Sequence, residues 1–399
     1  MARLIDTPLV DASLMEVARE IGPVLRQESN GSESQRRLTQ GAVDALSSGG
    51  LLTMLTSKSM GGQEVNPITY ASVVEEISRS DPSSGWSLVN PLLWAFLCSR
   101  LPDQGADELL GNDPRAWFTA AIAPPLTAVP VDGGYIVSGR GLFASNCHHA
   151  AWFAAVCEVK PGQDRNGKAA DATKPIWVYV AAQDCRILDT WHVLGLRGTG
   201  SDDFEVENAF VPHHRAFPLT TEFVAGSNFQ GPLYQFSLMG MITAALPSVM
   251  LGIARTAIDE VATLAEIKTP AGNSSSLRSR PSAHSSIAQA EAAYRSGRAL
   301  LYETLIRIWE STLAGNQISW SDRSDIVLAA TNAALQSAHA TELMYRLAGT
   351  AGIYQHQRLE RFFRDMQVAR QHRFYTEARY ETFGQMYFGL QPDYSLTLL

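Results

Sequence analysis

The sequence predicts an α+β fold in three parts: an N-terminal helical domain, a central antiparallel β domain and a C-terminal four-helix bundle. Three observations predict it. Apolar residues recur at helical spacing near the start, short β-branched and aromatic runs between turn signals fill the middle, and long Ala-rich helical runs follow. We place the domains at residues 1–124, 125–225 and 226–399.

The first part contains an apolar stripe typical of an amphipathic helix, from Leu14 to Leu25. Gly22-Pro23 lies inside the stripe and predicts a break or a kink, because proline lacks the N–H that the helix ladder needs. Asp81-Pro82 should stop the last helix of this part. The expected helices cover residues 14–25, 34–46 and 67–79.

The middle part favours short strands. Asp132-Gly133-Gly134 stands between two extended runs and is typical of a hairpin turn. Strands are expected within residues 129–138, 151–159, 176–181 and 204–211, and the polar stretch 163–173 is expected to be a surface loop. Because the clearest connection is a hairpin, we expect an antiparallel sheet.

The last part returns to helical patterns with few breakers. Alanines cluster in it (Ala329, Ala330, Ala333, Ala334), which suits close packing between helices. A flexible stretch is expected over 269–276. The helices of the predicted bundle cover residues 239–265, 283–313, 321–347 and 359–384.

Charge and hydropathy argue against a nucleic-acid-binding protein and against a membrane-spanning protein. The net charge is −8 and there is no long basic run, so we expect no nucleic-acid partner. No run of about 18 uninterrupted apolar residues occurs, so we expect no membrane span. The N-terminus carries acidic residues early and lacks an apolar signal core, which favours a cytoplasmic protein.

The four cysteines form no C-x-x-C pair, and the histidines near them lack zinc spacing. We interpret them as small buried side chains and expect no metal. His148-His149 is not a metal pair if it lies on a strand, where neighbours point to opposite faces. The segment RGTGS, 197–201, is Gly-rich but lacks the context of a phosphate loop.

Three segments, in this order and spacing, carry a resemblance that spans nearly the whole chain. They are residues 132–145 (DGGYIVSGRGLFAS), 191–201 (WHVLGLRGTGS) and 348–352 (AGTAG), the last followed by Arg364-Asp365. Together they resemble the acyl-CoA dehydrogenase superfamily, and within it the two-component flavin-dependent monooxygenase branch.

The resemblance implies an oxygenase component that receives FMNH2 or FADH2 from a separate flavin reductase and uses O2 as cosubstrate. It would hydroxylate a small aromatic or heteroaromatic substrate through a C4a-hydroperoxyflavin. It also implies a homotetramer, with flavin held where the β domain meets the bundles of two subunits. A flavin dehydrogenase or oxidase, and a non-catalytic oligomeric relative, stay open as alternatives.

Several residues have roles that the resemblance implies. A flavin site needs a few hydrogen-bonding groups among aromatic and small residues, and the end of the second strand supplies them. Arg278 and Arg280 are candidates for the flavin phosphate. The expected cofactor-binding residues are Trp86, Phe143, Ala144, Ser145, Arg278, Arg280 and His372, of which Ser145 and His372 are also the expected catalytic residues.

Histidines distinguish an oxygenase from a dehydrogenase of this family. His356 stands where the commonest dehydrogenases carry their glutamate base, and His372 follows Arg364-Asp365 at the spacing of the monooxygenases. No histidine precedes His148, so the N-terminal domain offers no imidazole to ionise a phenol. We therefore favour a heteroaromatic or nitrogen-bearing substrate, with His356 and Asn90 as candidates for proton transfer or substrate contact.

Overall fold

The computed structural model describes residues 9–160, 174–220, 223–272 and 274–394. The N-terminal part is helical, as predicted. Its helices are α1 (Ala12–Gln35), α2 (Gln40–Ser47), α3 (Pro67–Ser80), α4 (Pro82–Phe96) and the short α5 (Asp103–Ala106). Asp81 ends α3 and also begins α4, where its carboxylate accepts a hydrogen bond from Ser84 N at 2.9 Å.

Of the break or kink predicted at Gly22-Pro23, the break is wrong, because α1 continues through Pro23 without interruption. Packing explains the continuity. Gly22 is buried, and a Cβ at this position would stand 2.7 Å from Ser80 Oγ at the end of α3. The close approach of the two helices therefore outweighs the lost hydrogen bond of the proline.

The middle part forms one seven-stranded sheet with the order β5-β6-β2-β1-β3-β4-β7. The strands are β1 (Phe118–Val131), β2 (Gly134–Gly141), β3 (Trp152–Val159), β4 (Ile176–Ala181), β5 (Cys185–Leu188), β6 (Asp203–Pro212) and β7 (Ala216–Pro218). The predicted hairpin is confirmed, with Val131 paired to Gly134 and Gly133 at φ +79° in the turn. The predicted loop 163–173 lies outside the described residues.

The sheet is mixed rather than purely antiparallel, because β1 and β3 run parallel. The hairpin places β2 on one edge of β1. The chain then turns back through residues 142–151 and adds β3 to the other edge in the same direction as β1. The strands β5 and β7 were not predicted, and β1 begins at Phe118, ahead of the start expected for the β domain.

The C-terminal part contains three long helices, α6 (Leu238–Ile267), α7 (Pro281–Leu313) and α8 (Trp320–Ala348). Instead of the predicted fourth helix over 359–384, two short helices follow, α9 (Arg358–Ala369) and α10 (Ala378–Tyr387). The chain leaves the helix between them because Phe374 and Tyr375 turn into the core. The prediction of a single helix there is wrong, and the link 370–377 carries His372.

Helix α6 is the central helix of the C-terminal part and packs against α3, α4, α8 and α9. By length and composition alone it could cross a membrane, but its apolar window is entirely buried inside the protein. Its apolarity therefore fits a core helix. Helix α4 lies against both α6 and β1, so the helices and the sheet meet around α4.

Candidate active site

A cavity of about 450 Å³ opens where α4, the sheet and α6 meet. Its walls come from α4, β1, the turn after β2, the loop 191–201, α6 and the link 370–377. The lining is mainly apolar, with a few polar groups directed at one region. This composition is typical of a site for a small organic ligand or cofactor.

Ser145 lies in the turn after β2, on one wall of the cavity. Its side chain is buried, and its Oγ accepts a hydrogen bond from Trp86 Nε1 of α4 at 3.2 Å. Phe143, two residues earlier, also lines the cavity. It is 66% exposed and has a φ of 59°, which a phenylalanine rarely adopts. The unusual turn therefore places an exposed aromatic ring and a buried hydroxyl side by side.

His372 lines the same cavity from the link between α9 and α10. Its ring lies 5.7 Å from the Trp86 ring, in an edge-on arrangement. Burial, with a smaller contribution from the positive charge of Arg373, lowers the pKa of His372 to about 4. The imidazole is therefore neutral at neutral pH and can accept a proton or a hydrogen bond.

Asn90 lines the cavity one helical turn after Trp86. Its amide is held by α4 itself: Nδ2 donates to Trp86 O at 3.2 Å, and Oδ1 accepts from Trp94 Nε1 at 3.2 Å. Ala144 does not line the cavity. It is fully buried, and its backbone N–H donates to Asp202 O at 3.0 Å. Leu142, which was not among the predicted site residues, lines the cavity.

The structure leaves three predicted site residues outside the cavity of this chain. His356 is exposed and stacks on Tyr354. Arg278 forms an exposed ion pair with Glu266, and Arg280 begins helix α7. None of the three residues lines the cavity of its own chain.

The structure adds polar residues that the sequence analysis did not select. Thr199 and Ser201 belong to the RGTGS segment, which was only excluded as a phosphate loop, and both line the cavity. Ser201 Oγ lies 2.7 Å from Ser145 Oγ and 2.7 Å from Thr199 Oγ1. In this segment glycines alternate with residues that carry hydroxyl groups. This pattern could have predicted that the segment lines the site.

The pair Arg364-Asp365 follows the last of the three segments that resemble the family, and it holds the loop 191–201 in place. Arg364 Nη1 donates to Leu194 O at 2.8 Å, and Asp365 Oδ1 accepts from Leu196 N at 2.6 Å. Gly195 lies between them, where a Cβ would stand 2.3 Å from the Arg364 backbone. Burial raises the pKa of Asp365 to about 7. The pair therefore positions the loop and does not contact the cavity.

His148 and His149 lie in a turn, so the expectation that they occupy a strand is wrong. His148 Nε2 lies 2.7 Å from Asp202 Oδ2, and Cys147 Sγ lies close enough to complete a group of three potential metal ligands. Cys147 donates to Gly200 O at 3.3 Å, and burial raises the pKa of its thiol to about 12. Both side chains therefore have hydrogen-bond partners within the protein.

The charge of the cavity walls restricts the chemistry that they can perform. In the described part of the chain, no aspartate or glutamate lines the cavity, and Arg373 is the one cationic side chain that does. A carboxylate base, which α-proton abstraction in a dehydrogenase requires, therefore has no candidate on these walls. A hydroxyl, an amide and a neutral imidazole are present instead.

Comparison with known proteins gives concordant results over most of the chain. The models of the acyl-CoA dehydrogenase N-terminal and C-terminal domains match residues 12–97 and 244–377. An indole-3-acetate monooxygenase from Pseudomonas putida is 33% identical over 362 residues, which cover 90% of each chain. The oxygenase subunit HsaA of a flavin-dependent monooxygenase from Mycobacterium tuberculosis is 26% identical, covering 95% of this chain and 96% of that protein. The structure of XiaF from Streptomyces sp. with FADH2 and glycerol superposes with a TM-score of 0.87 at 24% identity, covering 96% of both chains.

Proposed function

Since the chain belongs to the acyl-CoA dehydrogenase family and is a flavin-dependent monooxygenase, we propose that it hydroxylates a small aromatic or heteroaromatic substrate with O2 and with reduced flavin from a separate reductase. The main observation in support of this proposal is the cavity between the sheet and the helices. It combines Ser145 and a neutral His372 with apolar walls, and no carboxylate lines it in the described ranges.

The residues of the cavity fit a flavin ring. Its flat face needs aromatic and aliphatic surface, which Trp86 and Phe143 offer, and its polar edge needs hydrogen-bonding groups, which Ser145 offers. Bound reduced flavin would supply the two electrons that activate oxygen. With the ring in place the apolar walls would limit the access of water, and His372, neutral at physiological pH, would hold or accept a proton beside the ring.

The substrate would lie against α4, where Asn90 lines the cavity one helical turn after Trp86. No imidazole precedes His148 in the sequence, so α4 cannot ionise a phenol. An electron-rich heteroaromatic ring such as an indole needs no such base. This agrees with the name of the Pseudomonas relative, which acts on an indole acid.

Arg373 adds a preference for substrates with an anionic substituent. It is exposed at the cavity, its guanidinium lies 5.5 Å from the Phe374 ring, and it has no carboxylate partner in the described ranges. Arg373→Gln should raise KM for indole-3-acetate roughly tenfold to hundredfold, since a hydrogen bond to a charged group contributes about 1.5–3 kcal/mol. KM for indole, which lacks the carboxylate, should change little. Equal effects on both substrates would contradict this role.

The activity itself is tested by isotope transfer. Enzyme loaded anaerobically with reduced flavin is mixed with 18O2 and indole-3-acetate, and the product mass is measured. We expect one 18O atom in the organic product. Hydrogen peroxide without labelled product, or reduction of oxidised flavin by the substrate without oxygen, would contradict the monooxygenase assignment and favour an oxidase or a dehydrogenase.

We further propose that the protein is a homotetramer. Large apolar side chains are exposed near the C-terminus, including Tyr387 at 74% and Phe388 at 78% exposure, and such patches are typical of subunit contacts. Arg278, Arg280 and His356, which lie outside the cavity of their own chain, would reach a flavin only from a second subunit. Light scattering should give a tetrameric mass for the wild type and a smaller mass for Phe388→Asp. A monomeric wild type would contradict the proposal.

A further inference from the structure

A chain of hydroxyl groups leads from the cavity to a backbone carbonyl. Leu196 O accepts hydrogen bonds from Thr199 Oγ1 at 2.8 Å, from Trp191 Nε1 at 3.1 Å and from the backbone N–H of Thr199 at 3.1 Å. A carbonyl oxygen cannot donate, so the single hydroxyl proton of Thr199 is used in this bond. Thr199 can then only accept from Ser201 Oγ, 2.7 Å away.

The same reasoning gives the direction of the next bond. Ser201 uses its proton toward Thr199, so it accepts from Ser145 Oγ at 2.7 Å. Trp86 Nε1, which can only donate, occupies one lone pair of Ser145 at 3.2 Å. Ser145 is thus left with one lone pair for the cavity and no proton. Each of the three hydroxyl-bearing side chains is buried, so water does not compete for these bonds.

We propose that Ser201 and Thr199 are positioning residues that direct the hydroxyl proton of Ser145 away from the cavity, so that the site prefers reduced flavin over oxidised flavin. The inference rests on the proposed function, in which Ser145 offers its hydroxyl group to the polar edge of the flavin ring, and it takes N5 as the atom of that edge that Ser145 would meet. Reduced flavin carries a hydrogen on N5 and can donate it to the free lone pair of Ser145. Oxidised N5 has a lone pair of its own, and two acceptors cannot form a hydrogen bond.

If the hydrogen bonds among the three hydroxyl groups reversed their direction, Ser145 could donate to oxidised N5. Thr199 would then donate to Ser201 and lose its bond to Leu196 O. Oxidised flavin therefore binds with one hydrogen bond fewer than reduced flavin, which should raise its dissociation constant relative to that of reduced flavin by about threefold to tenfold. The preference has a use in a two-component enzyme. After turnover the oxidised flavin must leave, and the next reduced flavin must bind in its place.

The test compares the dissociation constants of oxidised and reduced flavin. Oxidised FMN and FAD are titrated in air by fluorescence quenching, and the reduced forms are titrated anaerobically. We expect the wild type to bind the reduced form more tightly. Ser201→Ala frees the proton of Ser145, so the affinity for oxidised flavin should rise and the preference should fall by about threefold to tenfold.

Thr199 provides a matched pair of variants. Thr199→Val keeps the shape of the side chain but removes the hydroxyl, so it should lower the preference as Ser201→Ala does. Thr199→Ser keeps the hydroxyl and should retain the wild-type preference. This pair decides the question even if Ser201→Ala fails to fold, and thermal melting of each variant checks for folding.

A double-mutant cycle shows whether the effect passes through Ser145. In a Ser145→Ala background, Ser201→Ala should no longer change the preference. An unchanged preference in Ser201→Ala and Thr199→Val, or an equal change with and without Ser145, would overturn the inference while leaving the monooxygenase assignment intact. A wild type that binds neither form of flavin would overturn both.

Discussion

Replacing His372 with alanine should lower the rate of substrate hydroxylation by about 100-fold or more, while the flavin is still reoxidised by oxygen. A positioned proton-transfer group typically contributes about 10²–10⁴-fold, and His372 is the one imidazole that lines the cavity in the described ranges. The measurement is product formed per flavin oxidised, with hydrogen peroxide quantified in parallel. We expect peroxide to replace the product.

A matched control is His213→Ala. His213 contacts Tyr135 edge-on, away from the cavity lining, so its removal should leave the coupling of oxygen use to product unchanged. If His372→Ala retains wild-type coupling, or if both variants lose it equally, His372 has no specific role in the reaction.

The low pKa of His372 also predicts a pH dependence. The imidazole is neutral above its folded-state pKa of about 4, so its contribution to activity should persist as pH falls through 6.5 and be lost near pH 4. Between these values the unfolded chain binds a proton that the folded chain does not. Stability should therefore fall as pH decreases from about 6.5 to 4. A loss of activity centred near pH 6.5 would contradict the neutral state of His372.

Short sequence patterns were sufficient to predict those elements whose conformation depends only on neighbouring residues. Asp132-Gly133-Gly134 determines a hairpin within a few residues, and the structure confirms it. The parallel pairing of β1 with β3 depends on how the chain crosses after residue 141, and no short pattern encodes that path. The same reason explains why the sheet was expected to be antiparallel.

The site was predictable only in part. The resemblance led to Ser145 and His372, and the structure places both on one cavity. It did not lead to Ser201, because the bond between Ser201 and Ser145 joins residues 56 positions apart. The helical pattern over 359–384 likewise concealed the link that carries His372, since the pull of Phe374 and Tyr375 into the core is a tertiary effect.

The largest effect on stability is expected at Glu75, which lies buried between α3 and α7. Its carboxylate accepts hydrogen bonds from Arg298 Nε at 2.9 Å, Tyr294 OH at 2.9 Å and Tyr302 OH at 2.7 Å. Glu75 and Arg298 are each 5% exposed. Removal of one partner leaves a buried charge uncompensated, which costs about 3–5 kcal/mol. Glu75→Leu should therefore lower the free energy of unfolding by that amount, measured by denaturant titration at fixed protein concentration.

Two further variants separate this buried pair from ordinary surface charges. Glu76 is the next residue on α3 and forms a partly exposed ion pair with Arg79 at 3.3 Å, so Glu76→Leu should cost less than about 1 kcal/mol. The double variant Glu75→Leu/Arg298→Leu removes both buried charges together, and most of the lost stability should return, because no ion is then left without a partner. If the double variant is no more stable than Glu75→Leu, the hydrogen bonds of the two tyrosines, rather than the ion pair, hold α3 against α7.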